Sequence, residues 1–532
     1  MKKNHLPNYL SRRKFLKTAG MAAAIAPLTM NGYTINPMSG ASLYRKLGGS
    51  VQFTDRVMVF IELNGGNDGL NTLIPLDQYN KLSVHRPRVL IPESAVLPLT
   101  GTAKTGLHPA MQRIRQLYDN GMVSVVQRVG YPDQDYSHFR SMDIWMTASD
   151  SDEALSSGWL GRMLEQENQG YPSGYPNSDA PDPLAINVGT ISPVSLMGNS
   201  FPMGISVGDV EQVYNLINDF VEPAPSTPYG DELAYIRAVM QNTKVYFDVI
   251  KEAALIGQNL TALYPAAGEN ALADQLRVVA RLISGGLQTP VYVVSIHGFD
   301  THAEQVEAGD PLSGVHAVLL NQISEAVYAF MDDVRLMGKA NQVCAMTYSE
   351  FGRTVTDNLS YGTDHGAGAP LFVFGKGVIP GIIGDNPVIQ TDVNLSEDVP
   401  MQHDFRQVYA SVIQDWFGIA NPGALLQGDF AVLPIFKAST RATDLASSAN
   451  FELRSFPNPV AQVATIAFTI PEAMVRLDLL DSQGRFLRLL SEGRYPAGFH
   501  KVVFNREGLP SGQYFYVLRV NGLGITKKLL LI

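Results

Sequence analysis

Short apolar runs, each about the length of a strand, recur along the chain and each empties into a cluster of polar residues. They are Val57 to Ile61, Val123 to Val129, Val291 to Ile296, Gln342 to Thr347 and Leu371 to Phe374. The runs are continuous rather than alternating, which is the signature of strands buried on both faces of a mostly parallel sheet. Between them the period lengthens to that of a helix over Met111 to Tyr118, Ala271 to Leu287 and Val318 to Met337. A further helical pattern covers Glu232 to Ile256, with Leu233, Ile236, Met240 and Tyr246 on one face. Strand and helix in alternation predict an α/β fold whose ligands gather outside the carboxyl ends of the strands.

After Phe436 the pattern changes. Lys437 to Asn450 is rich in Ala, Ser and Thr and reads as a linker. From Phe451 the period is two, over Val463 to Ile470, Val475 to Leu480, Phe486 to Leu490, His500 to Phe504, Tyr514 to Val520 and Ile525 to Leu531. Strands this short, separated by turns such as Pro510-Ser511-Gly512, predict a small all-β sandwich with no cluster of ligand residues.

Composition narrows this picture in three ways. A chain of 532 residues is too long for one compact core. The 40 Lys and Arg against 50 Asp and Glu give a formal charge of -10, which argues against nucleic acid as the partner. The single cysteine, Cys344, lies inside an apolar run, so it forms no intramolecular disulfide and is expected to pack in the core.

The chemistry is expected where the runs end. The first discharges into Asn64-Gly65-Gly66-Asn67-Asp68-Gly69, where Asn64 and Asp68 offer oxygens for a hard cation or simply cap a tight strand-to-helix turn. The second leads to Ser137 and His138 at the head of a helix, where a hydroxyl meets unpaired N–H groups and is either a nucleophile or an N-cap. His297, Asp300 and His302 follow the third run, a spacing and donor set suited to zinc or manganese more than to calcium or magnesium. Glu350 and Arg353 follow the fourth, and Asp364 and His365 precede the fifth. Asp404, before the pattern Val408 to Trp416, reads as a helix cap.

Three resemblances rest on these residues. Ser11-Arg12-Arg13-Lys14-Phe15-Leu16-Lys17 resembles the twin-arginine export signal, and the apolar stretch Ala19 to Met30 behind it is too short for a stable membrane span. The stretches 64–71, 137–139, 158–162, 298–302, 349–354 and 362–366 together resemble the bacterial family called domain of unknown function 1501, placed among the alkaline-phosphatase-like folds. The last eighty or so residues, with Phe456-Pro457-Asn458-Pro459 and the ending Lys527 to Ile532, resemble the sorting domain of type IX secretion in Bacteroidetes.

The resemblances imply a leader over 1–48, an alkaline-phosphatase-like three-layer sandwich over 49–436, a linker over 437–450 and a sorting domain over 451–532. They imply passage through the periplasm to the cell surface or beyond, with the export and secretion machinery as partners and no transmembrane anchor in the mature chain. By superfamily analogy Ser137 falls at the nucleophile, Asn64 or Asp68 at the first metal ligand, Asp300 and His302 at the third position, Glu350 at the fourth and His365 at the last. Arg353 would face the transferred oxyanion, with His138, His297 and Asp364 nearby. The implied activity is metal-dependent hydrolysis of phosphate or sulfate esters. The alternative is a non-catalytic surface protein holding a polysaccharide or anion in a degenerate pocket, because Asn64 stands where the superfamily has an acidic ligand, unless Asp68 reaches back, and Glu350-Phe351 where it has an Asp-His pair.

Overall fold

The computed structural model of the protein describes residues 55–172, 175–177, 180–208, 245–437, 453–470, 473–481, 486–520 and 523–532, with two short antiparallel strands at Leu28–Met30 and Tyr33–Ile35. The export motif, residues 438–450 of the expected linker and the first part of the 232–256 helix lie outside the described residues; 245–256 is helical.

The central sheet is built from β1 (Val57–Asn64), β2 (Val123–Gly130), β3 (Ala185–Asn187), β4 (Ile205–Ser206), β5 (Val291–His297), β6 (Val343–Tyr348), β7 (Ala369–Phe374), β8 (Gly381–Ile383) and β9 (His403–Asp404). Their order is β8-β2-β7-β6-β1-β5-β3-β4, and β9 pairs with β2. All pairs are parallel except those made by β7, which runs against both β6 and β2. That reversal places the start of β7 at the same edge as the carboxyl ends of β1, β2, β5 and β6.

Residue parity along β1 shows why the runs are continuous. Val57, Val59, Ile61 and Leu63 face one core, closed by α1 (Gln112–Asp119), α4 (Ala271–Ser284) and α5 (Val315–Leu336). Met58 and Phe60 face the other, closed by α2 (His138–Thr147), α3 (Trp159–Glu167) and α6 (Phe405–Ser411). The result is a three-layer α/β/α sandwich with a mostly parallel sheet, as the pattern predicts. Cys344 is fully buried, and a Cβ on Gly375 would come 2.5 Å from its sulfur, so it is a packing residue. Asp404 caps α6 through a complete capping box with Gln407.

The C-terminal strands are β10 (Leu453–Phe456), β11 (Val463–Ile470), β12 (Ala473–Leu480), β13 (Phe486–Tyr495), β14 (Gly498–Asn505), β15 (Gly512–Val520) and β16 (Leu523–Leu531). They form a three-stranded sheet, β10-β11-β14, and a four-stranded sheet, β13-β12-β15-β16. Both contribute to one core that includes Ile466, Phe468, Leu477, Tyr516 and Leu529. Period-two patterning revealed all of these strands but β10, whose Arg454 and Ser455 hide the alternation.

Candidate metal-binding active site

β1 is the middle of the site because it pairs with β5 on one side and β6 on the other. Register sets Asn64 opposite His297, and Glu62 opposite Tyr348, so the loops that follow leave the sheet side by side. They approach closely: a Cβ on Gly65 (φ 122°) would lie 2.2 Å from the Asp300 backbone nitrogen, and the Phe299 N–H donates to the Asn64 carbonyl at 3.0 Å. Only glycine fits at that contact.

Arg353 locks this junction. Its guanidinium, fully buried, donates to the carbonyls of Gly65, Gly66 (2.8 Å), Phe299 (3.0 Å) and Thr363 (2.9 Å), and to Asp300 Oδ1 at 2.8 Å. The expectation that Arg353 faces a substrate oxyanion is therefore corrected. Its donors are spent on backbone carbonyls that converge at one point, and it positions Asp300.

Three imidazoles converge on that carboxylate. His138 Nε2 is 3.4 Å from Asp300 Oδ2; His302 Nε2 and His365 Nε2 are 3.3 and 3.4 Å from Oδ1; and the last two nitrogens are 2.8 Å apart. Ligand atoms of His138, Asp300 and His365 all lie within 4.8 Å of one another. Each ring is held from behind. His138 Nδ1 donates to Glu350 Oε1 at 2.8 Å, His302 Nδ1 to Asp364 Oδ1 at 2.8 Å, and His365 Nδ1 to the Tyr136 carbonyl at 2.8 Å. A carbonyl can only accept, so the proton of a neutral His365 is on Nδ1, and the carboxylates assign the other two rings in the same way. In that state three Nε2 lone pairs and a carboxylate face each other, an arrangement that repels itself until a cation sits among them. Separations of about 3 Å are those between neighbouring ligands on one ion with bonds near 2.1 Å, so the donor set fits a divalent metal.

The electrostatics agree. Burial opposes ionisation of Asp300, but the hydrogen bond and charge of Arg353, with His138 and His302, outweigh it and hold its pKa below the usual carboxylate range. Asp364 is likewise depressed, its burial outweighed by hydrogen bonds from His302 and Asn358. Burial, and then the Arg353 charge, lowers the pKa of His365 and favours its neutral, metal-binding form.

The other expected ligands are placed differently. Glu350 is buried with both oxygens engaged: Oε1 accepts from Gly65 N–H at 2.8 Å and from His138, and Oε2 lies 3.1 Å from the Ser349 hydroxyl. It orients the His138 ring instead of facing the cluster itself, and Asp364 does the same for His302. Asp68 is corrected too: it caps the helix Gly69–Thr72, forms a buried ion pair with Arg86 at 3.1 Å and accepts from Gln305 at 2.6 Å. Asn64 donates to Glu62 Oε1 at 2.6 Å. His297 stays exposed at the end of β5, because Gly298 (φ 113°) turns the chain and carries only Asp300 and His302 over the edge. Ser137 is exposed at the N-cap of α2 but makes no capping bond; its N–H donates to Asp135 Oδ1 at 2.7 Å.

Glu62 was not foreseen. It is 6% exposed, and burial together with the nearby Glu350 charge raises its pKa to about 7. An acid directly after a central apolar run, in register with buried Tyr348, was the available signal.

The chain belongs to a family of proteins of unknown function, DUF1501, whose model matches residues 121–429. Residues 454–532 match a secretion system C-terminal sorting domain, which supports export to the cell surface or outside the cell. No curated protein matches. Similar solved structures include an alkaline phosphatase superfamily protein from Vibrio parahaemolyticus, at 10% identity, covering 84% of this chain and 86% of that one with a TM-score of 0.32. A sulfatase from Pseudoalteromonas sp. matches at 10% identity over 89% and 88%, TM-score 0.34. A phosphonate monoester hydrolase from Silicibacter pomeroyi matches at 11% identity over 89% and 88%, TM-score 0.29. Among the described residues no helix is long and apolar enough to cross a membrane.

Proposed function

We propose that the protein is an exported, metal-dependent hydrolase of phosphate or sulfate esters with an alkaline-phosphatase-like arrangement of its site. The carrying observation is the convergence of three Nδ1-anchored imidazoles on Asp300. His138, Asp300 and His365 would hold one divalent ion, with His302 Nε2 beside them at 2.8 Å from His365 Nε2, and zinc or manganese suits imidazole better than calcium or magnesium does. When bound, the ion would act as a Lewis acid toward the ester oxygens.

The chain's own residues supply the rest. Ser137 carries an exposed hydroxyl beside His138, at a helix end whose first N–H groups it leaves uncapped and free to bind an anionic oxygen. Its Oγ attacks phosphorus or sulfur, the ester oxygen departs and takes up a proton to give the alcohol, and water then releases phosphate or sulfate and restores the serine hydroxyl. Glu350, Asp364 and the Tyr136 carbonyl hold the three rings; Arg353 holds Asp300. Asp68 and Asn64 are bonded elsewhere, so the reading is of one metal and not two. The Ser11–Lys17 motif supports export by the twin-arginine route in the folded state, then passage through the periplasm.

Purified full-length protein given zinc, manganese, magnesium or calcium in turn is expected to release product from aryl phosphates, diesters or sulfates. No release above a His302→Ala control would sink the proposal. One observation favours a second reading, a surface protein that binds a polysaccharide or anion without turnover: among the described residues no side-chain base is hydrogen-bonded to the Ser137 hydroxyl, Asp135 taking only its backbone N–H. Stoichiometric metal that is lost in His365→Ala supports the enzyme; metal-free protein that still binds such a ligand supports the alternative.

A further inference from the structure

Charge at the site constrains what it can hold. Glu350, Asp300 and Asp364 bring three carboxylates to the three rings, against one guanidinium, Arg353. Arg353 has no exposed donor. The next arginine on α2, Arg140, is paired with Asp143 and three backbone carbonyls. One divalent ion therefore just neutralises the cluster. Asp135 and Asp398 add negative charge beside it, through the Ser137 N–H and the Tyr136 hydroxyl. Sites that bind phosphate dianions place arginine forks or lysines on them; this site presents backbone N–H groups at the head of α2 and no free cation among the described residues.

The rim is apolar in a patterned way. Phe139, next to His138, is 91% exposed. Tyr136, whose carbonyl holds His365, is 44% exposed. Leu359 is 81% exposed and adjoins Asn358, whose amide donates to the His302 carbonyl at 2.9 Å and to Asp364 at 3.2 Å. Each imidazole thus has a large exposed apolar side chain on the segment that carries or anchors it. Exposed apolar groups on the segments that build a polar centre are of the kind a ligand-binding rim uses.

We propose that the site selects singly charged esters with a ring or other apolar group, such as phosphodiesters or sulfate monoesters, over phosphate monoester dianions, and that Phe139 is the principal contact for that group. The inference rests on the ester-hydrolase reading and narrows it. A dianion would bring net negative charge into a cluster that the metal only neutralises, whereas a monoanion brings half as much and recovers apolar contact on the rim.

The test is an equilibrium one, so it does not depend on turnover. Full-length, manganese-loaded Ser137→Ala protein, which keeps the cluster but lacks the attacking hydroxyl, is titrated calorimetrically at pH 8 with diphenyl phosphate, phenyl sulfate and phenyl phosphate; the last is a dianion there because its second pKa is about 6. Both monoanions are expected to bind at least tenfold more tightly than phenyl phosphate. Phe139→Ala should weaken the monoanions at least fivefold, and Phe139→Trp should restore them. Equal or tighter binding of phenyl phosphate overturns the charge argument, and unchanged affinity in Phe139→Ala overturns the rim. If the monoanions bind as expected and the natural protein hydrolyses no ester, the hydrolase reading fails while the ligand class stands; binding of none of the three overturns this inference.

Discussion

Glu350 touches His138, the Gly65 N–H and Ser349, so replacing it would act on a metal at the proposed site through the ring that it orients. Loss of such an outer carboxylate typically lowers metal affinity 10- to 100-fold. Glu350→Gln keeps an acceptor but not the charge, and is expected to fall in that range in a chelator competition; a change under twofold would show that His138 is no ligand. Ser137 separates two roles that the sequence left open. An N-cap serine that bonds its helix contributes about 1 kcal/mol, but this hydroxyl makes no cap. Ser137→Ala is therefore expected to leave the urea midpoint nearly unchanged while turnover falls at least 100-fold. A stability loss with turnover retained would return Ser137 to an ordinary cap. The sequence indicated Asp300, His302 and His365 because each is a metal-binding type next to a buried run, the first two just after one and His365 just before another. It misassigned Asp68 because the partner that neutralises it, Arg86, meets it only in the folded chain.

At the level of elements, continuous apolar runs revealed the strands, and the period of 3.6 revealed α1, α4 and α5, because burial on two faces or one stripe leaves a mark in sequence. The three-stranded sheet of Leu73–Pro75, Leu97–Leu99 and Thr102–Leu107 left none, since its strands are short and Lys104 and Pro98 interrupt them. The crowding of the β1 and β5 loops was also hidden, as a glycine's reason for being there lies in the opposite loop. A methyl group on Gly65 would collide with the Asp300 and Phe299 backbone and would require an unfavourable φ. Gly65→Ala is expected to cost about 2 kcal/mol or more in urea unfolding and to release Arg353 and Asp300 together, so metal affinity should drop with stability. Glu62, at the end of β1, gives a pH effect of defined sign. Its pKa is about 7 in the fold against 4.5 for the ordinary group, so the folded state holds the proton longer than the unfolded chain. Stability from this residue is present below pH 4.5 and is lost as pH rises through 7. Glu62→Gln, which stays neutral, should therefore gain stability relative to the natural protein between pH 5 and pH 8. A constant difference across that range would mean that Glu62 ionises normally.

For the whole molecule, the relevant fact is that the site draws on one core system and the C-terminal strands on another. The imidazoles and Asp300 stand on loops of the central sheet, whose two faces carry the larger cores. Strands β10 to β16 enclose their own core and, among the described residues, supply none to the cluster. A metal at the proposed site would bind the folded protein and not the unfolded chain, and so would stabilise by RT ln(1 + [L]/Kd), about 2.7 kcal/mol at a hundredfold excess over Kd. In a body of several hundred residues that corresponds to a few degrees in Tm. Calorimetry of the full chain is expected to show two transitions, of which removal of metal with EDTA lowers only the larger. His365→Ala should reproduce the lower temperature and abolish the response to added manganese. If EDTA moved both transitions equally, the two cores would be one cooperative unit, and the separation argued from their strands would be wrong; if it moved neither, the cluster of His138, Asp300 and His365 would hold no metal.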